Sequence, residues 1–244
     1  MRRCTVEPQT PGRPLRFSLV RVPFFLEPDY PRDEGFQETN LERLRRKWGG
    51  VEEFEAQKQR HRLKERGLKV GIKHFKAERI ASNTFASHRL VQWVTKLAGA
   101  AAAERLYADL NFRHFERGQK LNDRQMLASA AGRLGIPGIS ETTARDFLDS
   151  GEGEAEIAAA QRILGDLGIH SIPTTIVNGK FSIGGAMQAD EVERVFRKLE
   201  AEGGAEDPPS DADTAFPARF AFAEALGIPP GKLLEELDFS EEAA

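Results

Sequence analysis

Gly168-Ile169-His170-Ser171-Ile172-Pro173-Thr174-Thr175-Ile176-Val177-Asn178-Gly179-Lys180-Phe181-Ser182-Ile183-Gly184-Gly185 is the stretch on which the reading of the fold turns. Thr174 to Val177 are β-branched and suit a strand. Asn178-Gly179 is a strong two-residue hairpin signal, because both central positions of that turn favour φ > 0. Phe181 to Ile183 read as the returning strand, and Gly184-Gly185 ends it. Pro173 cannot donate to a ladder, so it belongs at the first residue of a strand. A helix follows, with Val192, Val195, Phe196 and Leu199 at helical spacing and Asp190 and Glu191 in its first turn.

A Pro directly before a strand, then a hairpin, Gly-Gly and an amphipathic helix, resembles the closing ββα unit of thioredoxin-fold proteins. In those proteins the Pro is cis and lies beside the active site. The wording Ile172 to Gln188 is similar to the DsbA family, and within it to the FrnE-type branch. Kappa-class glutathione transferases and 2-hydroxychromene-carboxylate isomerases are relatives of that family. Two further phrases carry the resemblance. Val22-Pro23-Phe24-Phe25-Leu26-Glu27-Pro28-Asp29-Tyr30-Pro31 is similar to the family's second strand and the loop leaving it. Ser82-Asn83-Thr84-Phe85-Ala86-Ser87-His88-Arg89-Leu90 is similar to the start of its helical insert. The resemblance runs from about residue 16 to 201, and it rests on the order of the motifs more than on any one of them. It implies an α/β thioredoxin-like fold with a large helical insert, and Ile172, Pro173 and Thr174 as the substrate-backbone contact.

Composition sets outer limits. The 244 residues are 40% hydrophobic and 30% charged, enough to bury a core within a soluble chain. A net charge of -3 offers no overall basic field, so no nucleic-acid partner is expected. The apolar runs are too short to span a bilayer, and no membrane partner is expected. Arg2 and Arg3 are followed by Pro, Gly and Arg instead of a signal-peptide core, so a cytoplasmic location is expected by default. One cysteine excludes a disulfide framework and a cysteine-rich metal site.

Taken in order, residues 1–14 are expected to be a disordered lead-in. Leu15 to Leu26 reads as a strand, with Pro23 awkward inside it. A helix is expected from Thr39 through Leu41, Leu44 and Trp48 to Gly49-Gly50, and a charged, solvated one over Val51 to Glu65. Gly67 to Ile80 reads as loop with some extended character. Five helices are then expected. Their apolar positions are Phe85, Leu90, Trp93, Val94 and Leu97; Leu106, Leu110, Phe112 and Phe115; Met126, Leu127 and Leu134; Phe147 and Leu148; and Ile157, Ile163 and Leu164. Asn83 and Thr84, and Asp123, read as caps, the helix after Asp123 running to Gly135, and Ser140 to Thr143 opens the helix that carries Phe147 and Leu148. The expected domains are an incomplete DsbA-like domain over 15–201 with its insert at about 38–166, a linker over 202–215, and a short helical extension over 216–244.

The resemblance also exposes a deficit. Active members carry Cys-x-x-Cys where the first strand meets a helix, the helix end and nearby positive charge lowering the first thiol's pKa. No Cys-x-x-Cys occurs in this sequence, and Cys4 stands only 11 residues before Leu15 with no second cysteine to resolve a mixed disulfide. Residues 1–14 are too few for a central strand and its crossover helix, so that strand-helix is expected to be missing. Two explanations stay open: a segment preceding Met1, which is favoured, or a degenerate homologue. Either way no dithiol chemistry is expected from the sequence as written, and self-association through an open sheet edge is a specific risk.

His61, His74, His88, His114 and His170 are scattered without His-x-x-x-His spacing, so no metal is expected. Gly184-Gly185 lacks the company of a phosphate loop. It does precede a helix N-terminus, and the kappa-class resemblance implies an anion or glutathione-like ligand at Gly185, Ala186 and Met187. No other cofactor is expected. Three functions therefore stand: a thiol-disulfide oxidoreductase lineage acting on a thiol-containing protein or peptide, a glutathione-dependent transferase or isomerase, or a redox-inactive module that binds peptides or a partner.

Overall fold

The computed structural model describes residues 7–9, 17, 19–178, 181–202 and 221–233. Its elements run β1 (Glu38–Thr39), α1 (Asn40–Trp48), α2 (Val51–His61), α3 (Leu63–Leu68), β2 (Ile80–Ala81), α4 (Phe85–Ala98), α5 (Ala100–Phe115), α6 (Arg124–Gly132), α7 (Glu141–Asp149), α8 (Glu154–Asp166), β3 (Thr174–Val177), β4 (Phe181–Gly184), α9 (Ala189–Ala201) and α10 (Ala221–Ala225), then a 3-10 turn (Pro230–Lys232). Among the described residues the sheets are two antiparallel pairs, β1-β2 and β3-β4. The chain divides into a helical unit (25–94 and 102–152) and a hairpin unit (1–24, 95–101 and 153–244).

The helical unit is built on helix caps, of which those at Asn83 and Asp123 are legible in the sequence. The Thr39 hydroxyl accepts from Glu42 N while Glu42 Oε2 accepts from Thr39 N, closing a capping box at α1. Asn83 Oδ1 accepts from Phe85 N at 2.8 Å, Asp123 Oδ1 from Met126 N at 2.9 Å, and Ser140 Oγ from Thr143 N at 3.1 Å. Leu90, Val94, Leu106, Leu127, Ala131 and Leu148 are then fully buried. Helices α6 and α7 approach so closely at Gly132 that a Cβ there would meet Glu141 N at 2.8 Å. Arg89 lies inside this unit. Its Nε donates to Glu152 O at 2.9 Å and its Nη2 to Ser150 O at 2.7 Å and Phe147 O at 3.2 Å, so one guanidinium ties the end of α7 to the turn that precedes α8.

The hairpin unit buries its apolar residues elsewhere. Helix α10 packs on α8, and Ile157, Ala160 and Leu164 of α8 are buried together with Leu226, Ile228 and Leu233. Gly227, at φ 64°, sits over the Lys96–Glu156 ion pair of 2.8 Å. Gln161 Nε2 donates to the carbonyl of buried Pro23. By contrast Val192, Val195, Phe196 and Leu199 of α9 are only half-buried, with Phe17 edge-on to Phe196 at a centroid distance of 4.9 Å.

Several expectations are corrected. Phe17 and Leu19 to Leu26 form no strand, although their side chains are β-formers; a ladder needs a partner, and none of the described residues offers one. Leu15, Arg16 and Ser18 lie outside the described residues. The single helix expected over Val51 to Glu65 is two, broken at Arg62 with φ 44°, because only Phe54 is buried along α2 and little packing holds one axis straight. Leu97 and Phe112 are exposed, since each lies at the edge of its helix's buried stripe. Ile163 and Leu134 are half-buried. Helix α6 ends at Gly132 and not at Gly135. The expected lead-in over 1–14 lies almost wholly outside the described residues, as do the linker beyond residue 202, residues 216–220 and residues 234–244 of the extension.

Candidate functional site

The hairpin carries the site the sequence singled out. Its register sets Thr174 opposite Gly184 and Val177 opposite Phe181, so three residues connect the strands where Asn178-Gly179 suggested two. Asn178 takes φ 51°, and Gly179 lies outside the described residues. Gly185 N donates to Pro173 O at 2.8 Å. Because strand backbone alternates, the ladder groups of Thr175 and Val177 face β4, and those of Thr174 and Ile176 face the other way. Among the described residues no strand pairs with that outer edge. The Ile172–Pro173 bond is cis. Ile172 is 48% exposed and Pro173 is exposed beside it, while the Thr174 hydroxyl turns back to donate to Ser171 O at 2.7 Å.

Ile172, Pro173 and Thr174 are therefore brought together with Gly185 at one end of the hairpin, and Ala186 and Met187 continue from it. The Gly185 N–H is already committed to Pro173 O. Asp190 and Glu191 stand in the first turn of α9, and Glu191 Oε2 accepts from Gln188 N at 2.9 Å. Those carboxylates compete with an anion for the positive end of the helix. Cys4 lies outside the described residues, and no other thiol exists in the chain.

The four histidines of the helical unit do not converge. His61 stacks on Trp48 with centroids 6.1 Å apart, His88 meets Phe25 edge-on at 5.4 Å, and His74 and His170 are exposed. Arg79 Nε donates to His114 Nε2 at 3.1 Å, which leaves the proton on Nδ1 to donate to Gln119 O at 2.9 Å. Burial, helped by the nearby cations Arg79 and Arg43, pushes the His114 imidazolium down to about 4. Burial and the charge of Arg43 likewise bring Arg79 down to about 10. With both ring nitrogens engaged, His114 is a neutral structural bridge. Among the described residues no group of three His, Cys, Asp or Glu could hold a metal ion, and no helix is long and apolar enough to cross a membrane.

One cluster escaped the sequence reading. A cleft of about 530 Å³ is lined by Tyr30, Phe36, Glu38, Glu42 and Arg46 among others. The Tyr30 hydroxyl donates to Glu38 Oε2, and Arg46 Nη2 donates to Glu38 Oε2 at 2.9 Å and to the Tyr30 hydroxyl at 3.1 Å. Burial and the Glu38 carboxylate push the Tyr30 phenol up to about 12, while the Arg46 hydrogen bond pulls Glu38 below the usual carboxylate range. Tyr30 thus stays protonated and supplies no base; the triad braces the Tyr30–Pro31 loop against β1 and α1. Only the tertiary pairing of residues 8 apart made it visible.

Comparison with known proteins bears on this geometry. The family model of the DSBA-like thioredoxin domain matches residues 15–199. A solved structure, that of a probable DsbA oxidoreductase from Streptomyces coelicolor, superposes with a TM-score of 0.60 at 22% identity, covering 78% of this chain and 77% of that one. Among curated proteins none matches.

Proposed function

Since the chain belongs to the DSBA-like thioredoxin domain family, we propose that it binds extended, thiol-containing polypeptide along the outer edge of β3 and performs no dithiol exchange on its own. The observation that carries this is the edge itself: the backbone groups of Thr174 and Ile176 face away from β4, next to exposed Ile172 and Pro173. An extended peptide adds to such an edge through main-chain hydrogen bonds, with side chains of alternate residues available for selection. The redox half of the family's chemistry needs a nucleophilic and a resolving thiol, and the sequence holds one cysteine. The reading therefore keeps the oxidoreductase lineage and its substrate class while removing the transfer step. Less supports a glutathione-like ligand at Gly185 to Met187, because the Gly185 N–H is taken and two acids stand in the first turn of α9.

Fluorescein-labelled, reduced insulin B chain tests this by anisotropy, alongside an insulin-reduction assay. Binding is expected with no reduction above background. Ile176→Pro deletes an outward donor while leaving the ladder positions at Thr175 and Val177, and should weaken binding by about tenfold. Turnover of insulin disulfides, or equal binding by I176P with the hairpin intact by NMR, would refute the proposal.

A further inference from the structure

The net charge of -3 conceals an uneven distribution. Between Lys58 and Arg79 the sequence holds nine Lys or Arg and only two acids, Glu65 and Glu78, a local charge of +7. The segment comprises the end of α2, all of α3 and the turns that follow. Lys58 pairs with Glu55 and Arg62 with Glu65, but Arg60, Lys64, Arg66, Lys69 and Lys73 are exposed and meet no carboxylate among the described residues. Aliphatic side chains stand exposed among them: Leu63 at 43%, Leu68 at 61% and Val70 at 75%. Half of the eight large hydrophobics exposed among the described residues fall between Val51 and Val70.

The fold holds this display in place. Phe54 is buried against Trp48, ring centroids 6.0 Å apart. Buried Gly67 accepts at its carbonyl from Ile72 N at 2.9 Å, and a Cβ there would touch Ile72 at 3.4 Å, so the turn after α3 folds tightly back and sets Leu68, Lys69 and Val70 outward. The cleft at Tyr30 and the one at Trp93 and Phe147 are lined by no residue of this segment.

We infer that residues 58–76 dock peripherally on an anionic phospholipid surface. Charge complementarity calls for a polyanion, and the exposed aliphatics decide which. Leu63, Leu68 and Val70 gain nothing from phosphodiester backbones, whereas the boundary between headgroups and acyl chains accommodates cations and aliphatic side chains side by side. Cations and aliphatic side chains spread over α3 and the turns after it suit a broad surface more than a small ligand. The inference is independent of the role given to the β3 edge.

The test is co-sedimentation of the full chain with phosphatidylcholine vesicles, with and without about a third phosphatidylserine. Partitioning is expected only on the anionic vesicles, and it should fall as salt is raised. K64Q/R66Q/K69Q/K73Q should lower it by about 600-fold, at roughly fivefold per charge. L68S/V70S should lower it by about tenfold through lost burial. All six residues are exposed, so circular dichroism and thermal unfolding should be unchanged in both variants. Absence of binding to anionic vesicles at low salt, equal binding to neutral ones, or unchanged binding by the quadruple variant would overturn the inference. So would duplex nucleic acid binding that the quadruple variant loses while vesicles bind nothing, which would assign the surface to nucleic acid instead.

Discussion

The helical unit and the hairpin unit use the same kinds of side chain in opposite ways. In the first, Leu90, Val94, Leu106 and Leu127 are sealed from solvent and a buried arginine closes the end of α7. In the second, the closing ββα element leaves Val192, Val195 and Phe196 half-buried and Ile172 exposed, and the sealed residues lie where α8 meets the C-terminal segment. A hairpin and an amphipathic helix can form from local signals, but sealing their apolar faces takes a neighbouring layer. Among the described residues no apolar side chain of β3 or α9 is sealed from solvent, whereas each of α4 to α7 contributes several.

Substitutions can break or sharpen that contrast, and both tryptophans, Trp48 and Trp93, lie in the helical unit, so their fluorescence follows that unit alone. The largest effect is expected from Arg89→Ala, which removes a buried guanidinium and its hydrogen bonds to Ser150 O and Glu152 O, while Phe147 O keeps the Ser150 N–H and hydroxyl. Urea unfolding should show a loss of about 3–5 kcal/mol, with Arg89→Lys recovering only part. A loss below about 1 kcal/mol would mean the helical unit is not sealed as described.

Acid should act next. His114 takes up a proton near pH 6.5 when unfolded and only near 4 when folded. Between those values the unfolded chain binds the extra proton, so stability contributed by neutral His114 is complete above 6.5, declines as pH falls, and levels off below about 4. The span is at most about 3 kcal/mol. His114→Gln should flatten this part of the pH profile in tryptophan-monitored unfolding, and an unchanged slope would remove His114 from the helical unit's balance.

The smallest effect belongs to the hairpin. Ile172→Ser, at a side chain 48% exposed, should change stability by no more than about 0.5 kcal/mol in a calorimetric scan. A cost of about 2 kcal/mol would show that a partner layer covers Ile172 in solution and would erase the contrast between the units.

Much of this was readable in advance because it is written in short-range chemistry. Caps at Asn83 and Asp123, the β-branched run of Thr174 to Val177, and Pro173 at its head depend on residues within a few positions of one another. What failed did so where a distant partner decides. The segment from Leu19 to Leu26 has strand propensity yet no ladder, because propensity supplies a shape and not a neighbour. Leu97 and Phe112 fit a helical stripe but lie at its exposed margin. Arg89 sat inside a quoted motif without any hint that it would span 58 residues to reach Phe147 O.

By itself, then, the sequence determined the family, the order of helices and hairpin, the single thiol, and the concentration of positive charge between Lys58 and Arg79. These follow from side-chain type, periodicity and count, which need no third dimension. Tertiary structure alone decided that the Gly185 N–H serves Pro173, that Thr174 and Ile176 turn outward, and that His114 and Arg89 are bridges inside the helical unit. Those depend on register and on contacts between residues far apart in the chain, where one donor can serve one acceptor only after the backbone has brought them together.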